Sequence, residues 1–251
     1  MNLRYCILAL LSLLVSCQSN SQNRIRINIP TAETEAAYIW RTVQDIRFFE
    51  EHNYQVSLPS GQLMDTLKQK AKSGSLNNGD YENLEQFVKD SIYNKADYQQ
   101  GYKKIENELA LINKMINQID KSRFDWHFKE FKTYSVNLTL YGPGGSYNPD
   151  EGSILIYTTT DGRFKNYDNP ANTIIHEIIH IGIEEAIISQ YAVPHPLKER
   201  IVDTIVSLCF GQYLPDYRIQ NMGDLRIDPY LKELADLKAL NQSVEQILSK
   251  N

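Results

Sequence analysis

At 251 residues, with 42% hydrophobic and 23% charged residues, the chain has the composition of a folded globular protein large enough to bury a real core. Its formal net charge is −5 and its basic residues are scattered, which excludes the clustered positive stripe that nucleic-acid binding requires.

The chain begins with a segment that is not part of the fold. Arg4 supplies a positive start, and the apolar run over residues 7–15 is too short to span a bilayer. It closes on Leu14-Val15-Ser16-Cys17, which resembles a bacterial lipobox. That resemblance implies a signal peptide over residues 1–16, cleaved before Cys17, with lipid on the cysteine thiol and the new amino group. Residues 17–30 then form a lipidated tether, and the polar run over residues 18–23 suits a flexible linker. The membrane is a partner through this lipid alone, and the expected location is the bacterial cell envelope, on the periplasmic side or at the outer membrane. Cys6 leaves with the signal and Cys17 carries lipid, so Cys209 has no disulfide partner.

Residues 31–131 read as helical. Alanine, glutamate and aromatic residues fall at helical spacing over residues 31–51, and an extended break over residues 54–59 ends at Pro59. A helix is predicted over residues 61–72, a loop over residues 74–79, and one broken or two successive helices over residues 81–121. Ile105, Leu109, Ile112, Ile116 and Ile119 set the apolar stripe there. The motif Phe124-Asp-Trp-His-Phe128 is expected to pack the helical part onto the C-terminal part, with His127 at the surface.

The pattern changes at residue 132. Val136, Leu138 and Leu140 alternate in a predicted strand over residues 133–141, and the β-branched run over residues 153–160 predicts a second. The glycines of Tyr141-Gly-Pro-Gly-Gly-Ser-Tyr147 read as a long hairpin turn. Asn169-Pro170 is a helix start with asparagine as N-cap, and the helix should run to about residue 190. After the break at Val193-Pro-His-Pro196, a further helix is predicted over residues 196–210. Two strands followed by two helices make an α+β unit over residues 132–251.

The first of these helices carries His176-Glu177-Ile178-Ile179-His180. Two histidines four apart on a helix lie roughly 6 Å apart along the axis, within reach of one metal ion, whereas on a strand they would be roughly 13 Å apart. Chance yields roughly 0.006 such motifs in a chain of this composition. A zinc ion needs a third protein ligand and keeps one position for water. Glu184 fails, because it lies two turns, roughly 12 Å, from His176. Position 186 is alanine, so an extended His-x-x-Gly-x-x-His pattern is absent. His195 and Glu199, beyond the break, are the candidates that remain.

With Glu199 nineteen residues after His180 and Asp203 four residues later, the region 133–210 resembles the gluzincins, the thermolysin-like clan of metallopeptidases. The resemblance implies a zincin-like catalytic unit of short antiparallel strands, the His-Glu helix and a returning third-ligand helix. It implies one zinc ion per chain held by His176, His180 and Glu199, with Glu177 as general base and Asp203 orienting a ligand histidine. Two carboxylates on one stripe of a helix whose other side carries Ile201, Ile205 and Leu208 also call for a cation to answer them. The chain departs from the clan at Lys198, where an asparagine often precedes the glutamate.

The activity implied is hydrolysis of a peptide or protein substrate. Tyr191, His195 and Tyr157 are the candidates for stabilising the oxyanion, and His195 is also a candidate helix cap. Two other readings keep the metal: hydrolysis of a non-peptide amide or ester, and a non-catalytic zinc-binding surface lipoprotein.

Overall fold

The computed structural model describes residues 23–119, 124–165, 168–220 and 223–250. The signal peptide, Cys17 and the start of the tether lie outside the described residues. The last part of the expected tether is a strand, not a linker. Ile25 and Ile27 alternate with polar residues in β1 (Ile25–Asn28), which pairs in parallel with β2 (Tyr134–Thr139), Ile25 opposite Tyr134.

The fold is mixed α+β, with one four-stranded sheet in the order β1-β2-β4-β3. β4 (Ser153–Tyr157) runs parallel to β2, and only β3 (Gly145–Asn148) is antiparallel, paired to β4. The expectation of short antiparallel strands is therefore corrected for the β2–β4 pair. The segment read as a hairpin turn is the reason. Gly142 and Gly144 take φ of +123° and +145°, conformations that side-chain-bearing residues rarely adopt. They carry the chain past the site of β4 and into β3. A turn over residues 149–152 then folds β4 back between β2 and β3, leaving β3 as an edge.

The helices of the first half are α1 (Ala32–Gln44), α2 (Ile46–Glu51), α3 (Gln62–Ser73), α4 (Asn78–Phe87) and α5 (Gln99–Asn117). α1, α3 and α4 close a small core around Ile39, Met64, Leu67 and Leu84. The main core draws on both sides of residue 132. Ile25 and α5 residues Ile105, Ile112 and Ile116 share it with Val136, Ile154, Ile178 and Ile205. Phe124, Trp126 and Phe128 pack against or within it, and the Phe128 ring occupies the space where Gly182 has no side chain.

Two contacts fix the walls of what will be a cleft. Glu35 of α1 is 0% exposed, and its Oε1 accepts the Leu140 N–H at 2.9 Å and the Thr139 hydroxyl at 3.1 Å. This pins α1 to the end of β2, and burial pushes the Glu35 carboxyl up to about 7. α6 (Pro170–Ile183) starts as the sequence predicts, with Asn169 Oδ1 accepting the Ala171 N–H at 2.9 Å and Pro170 in the first turn. It is buried on nearly every side and ends in a widened π turn over Glu184–Ser189. α7 (His195–Phe210) returns beside it, and α8 (Leu240–Leu248) closes the far end of the core. α7 begins one residue earlier than predicted, with Pro194 as N-cap, so His195 is helical and does not cap the helix through its side chain.

Candidate metal centre

α6 sets His176 and His180 one turn apart on the side facing α7. Their Nε2 atoms stand 3.0 Å from each other. Glu199, in the second turn of α7, presents Oε2 at 3.5 Å from His176 Nε2 and Oε1 at 3.5 Å from His180 Nε2. Among the described residues these three form the one cluster of His, Cys, Asp and Glu donors close enough to share an ion. Tetrahedral zinc with ligand bonds of about 2.1 Å separates its donor atoms by about 3.4 Å; the two carboxylate–imidazole spacings match this, and the two imidazoles would have to part by a few tenths of an ångström.

The outer side of His176 is tied down. The Tyr217 hydroxyl donates to Asp203 Oδ1 at 2.6 Å and lies 2.7 Å from His176 Nδ1, whose proton it accepts. Asp203 Oδ1 is itself 3.2 Å from that nitrogen, and Asp203 Oδ2 accepts the Gln220 N–H at 2.6 Å. With one proton held on Nδ1, His176 would offer its Nε2 lone pair to the cluster once a metal ion takes the place of a proton there. Asp203 thus contacts His176 both directly and through the Tyr217 hydroxyl. Nothing in the local sequence marks Tyr217 or Gln220, which lie in an irregular segment after α7.

The electrostatics ask for a cation. Burial works to raise the Glu199 carboxyl, but His180 and His176 outweigh it and hold the group well below the usual carboxylate range. Burial pushes His180 down, to about 4, so it keeps a free lone pair. At His176 burial also opposes charge, but the hydrogen bonds to Asp203 and Glu199 prevail and raise it to about 10. An ionised carboxylate between two imidazoles needs one positive charge between them, from a metal or from a proton.

Glu177 sits on the neighbouring stripe of α6, 6% exposed, with its carboxylate at the cleft. Burial raises it to about 7, partly offset by His176. β3 passes so close that a Cβ on Gly145 would collide with Glu177 Oε1 and lie 2.7 Å from Thr173 Cγ2. The edge strand and the candidate base are therefore in contact, and a side chain at position 145 would push the Glu177 carboxylate aside.

The cleft above the cluster encloses about 730 Å³. It is lined by residues of α6 and α7, by Gly145, Ser146 and Tyr147 of β3, and by Tyr38, Arg41, Phe48 and Tyr54 from the helical half. Of the three candidates for an oxyanion donor, His195 lines the cleft, with Nε2 2.9 Å from the Tyr54 hydroxyl and Nδ1 3.6 Å from Glu199 Oε1. Tyr191 packs against the main core, and Tyr157 lies in β4; neither is among the residues lining the cleft. Tyr54 and Tyr147 are the aromatic residues that sequence reasoning missed. The Tyr147 ring lies flat on the His180 imidazole, 4.7 Å between centroids at 9°. Comparison with protein families, with curated proteins and with solved structures found no match.

Proposed function

We propose that this chain is a zinc-dependent hydrolase, a membrane-anchored peptidase of gluzincin type with a zincin-like catalytic unit. The observation that carries the reading is the convergence of His176 Nε2, His180 Nε2 and Glu199 beside a cleft into which Glu177 opens. His176, His180 and Glu199 would hold one zinc ion, which when bound supplies Lewis acidity and lowers the pKa of water.

The rest of the chemistry belongs to the chain. Glu177 accepts a proton from the attacking water as the new C–O bond forms, then delivers it to the leaving nitrogen as the C–N bond breaks. A carboxyl raised toward neutrality is suited to both transfers, because neither direction is steeply uphill near pH 7. Asp203 and Tyr217 keep His176 in one tautomer throughout. Tyr54 and His195, across the cleft from β3, are the donors available to the carbonyl oxygen as charge develops on it. Among the described residues no helix is long and apolar enough to cross a membrane, and the proposed anchor is lipid on Cys17 in the bacterial cell envelope.

The test combines metal analysis with one substitution. The purified protein should carry about one zinc per chain, and Glu177→Gln should keep the zinc while losing turnover of a peptide library by at least about 100-fold. Absence of zinc from a metal-replete preparation refutes the proposal. Loss of zinc in the Glu177 variant refutes the role given to that residue. Non-peptide amides and esters assayed in parallel decide between peptidase and another hydrolase.

A further inference from the structure

Close to the candidate metal centre, the cleft holds a positive charge that the hydrolytic chemistry leaves unused. Lys198 precedes Glu199 on α7, and its side chain lines the cleft. Its ammonium donates one hydrogen bond among the described residues, to the Tyr147 hydroxyl at 3.2 Å, and no carboxylate among them forms an ion pair with it. An ammonium has three donors, so two remain for another group. Of the other cleft cations, Lys165 donates to the carbonyls of Gln55 and Pro143, whereas Arg41 stands 3.9 Å from Asp45, the residue that ends α1, with its side chain largely exposed to solvent.

Lys198 is also held in place. The Tyr147 hydroxyl spends its proton on Glu184 Oε2 at 2.6 Å, so it meets Lys198 as an acceptor. The Tyr147 ring, whose centroid is 5.5 Å from the ammonium, stacks on the His180 imidazole. The charge is thus fixed one aromatic ring away from the metal-binding cluster, and it acts on Glu177, His180 and His195 together. A neutral substrate filling this space would strip water from the free donors and return only weak hydrogen bonds. A carboxylate would return charge-assisted ones.

Resting on the hydrolase reading above, we infer that Lys198 forms a carboxylate-binding subsite next to the scissile bond. The substrate class is then a peptide carrying a carboxylate at that position, either its own C-terminus or an aspartate or glutamate side chain.

The experiment uses zinc-loaded full-length Glu177→Gln protein and fluorescent randomised pentapeptide libraries in matched pairs. One pair has a free or an amidated C-terminus, and the other has glutamate or glutamine at a fixed central position. The acidic member of one pair should bind about 10- to 100-fold more tightly than its neutral match, and the pair showing the preference identifies the source of the carboxylate. Adding Lys198→Met should bring that ratio to about one, Lys198→Arg should keep most of it, and Lys198→Glu should invert it. Equal binding within both pairs overturns the subsite, as does a preference that survives Lys198→Met in protein with full zinc content. Turnover by the wild type separates the two readings. Cleavage of acidic and neutral peptides alike refutes the subsite and leaves the hydrolase standing. Selective binding through Lys198 without cleavage of any peptide, amide or ester supports the subsite and refutes the hydrolase.

Discussion

Replacing Glu35 with glutamine isolates the cost of the most deeply buried carboxyl outside the candidate centre. The side chain is 0% exposed, its Oε1 takes two hydrogen bonds, and its Oε2 has no partner among the described residues. A carboxyl held at about 7 against an ordinary 4.5 has its ionised form disfavoured in the fold by about 3 kcal/mol. The sign comes from proton binding. Below pH 4.5 the group is protonated in both states and costs nothing. Between 4.5 and 7 the folded chain keeps a proton that the unfolded chain has released, so stability falls as pH rises, and above 7 the whole penalty is present. Glutamine keeps the Oε1 acceptor for Leu140 and Thr139 and removes the charge. Urea unfolding of metal-free wild type and Glu35→Gln should therefore give a stability difference that grows by about 3 kcal/mol in favour of the variant from pH 4.5 to pH 8. Every other titrating group is common to both proteins and cancels. A difference that stays flat across this range, within the error of linear extrapolation, refutes the reasoning.

Asp203→Asn should weaken zinc binding by about 10- to 100-fold, and Tyr217→Phe by less, because Asp203 still reaches His176 directly; competition with a chromophoric chelator measures both. Gly145→Ala should leave zinc content intact and lower peptide turnover by about 100-fold, since the new methyl displaces the Glu177 carboxylate by about an ångström. Unchanged turnover would mean that Glu177 is not the base. Cys17→Ala should move the protein from the membrane to the soluble fraction, read by fractionation and by loss of lipid mass from the N-terminal peptide.

The parts of the site that are legible in the sequence are those whose geometry is local. The Asn169-Pro170 start and the four-residue step from His176 to His180 need only one helix to take effect, and the structure shows both. Glu199 and Asp203 are legible because a short break returns one helix on another, so spacing along the chain carries over into space. The parallel pairing of β2 and β4 is not legible, because each strand has the same alternation whichever way its neighbour runs. β1 is hidden by the polar run before it, although Ile25 and Ile27 already alternate. Tyr54, Tyr147 and Tyr217 are three among sixteen tyrosines. What selects them is contact with residues distant in the chain, such as the 141 positions between Tyr54 and His195.

Those long-range contacts explain why the helical half matters to a site whose candidate metal ligands all lie beyond residue 170. α1 and α2 supply Tyr38, Arg41 and Phe48, and the segment after them supplies Tyr54, so the cleft has only one wall without them. Their position depends on Glu35, which clamps α1 to Thr139 and Leu140. Five residues after Leu140 the chain reaches Gly145, in contact with Glu177. The same short stretch therefore sets the far wall and the room available to the candidate base. A buried carboxyl with an unsatisfied oxygen is a costly way to hold a helix. The cleft depends on the clamp and not on its charge: glutamine would keep both hydrogen bonds that set the wall and the edge strand, without the penalty at neutral pH.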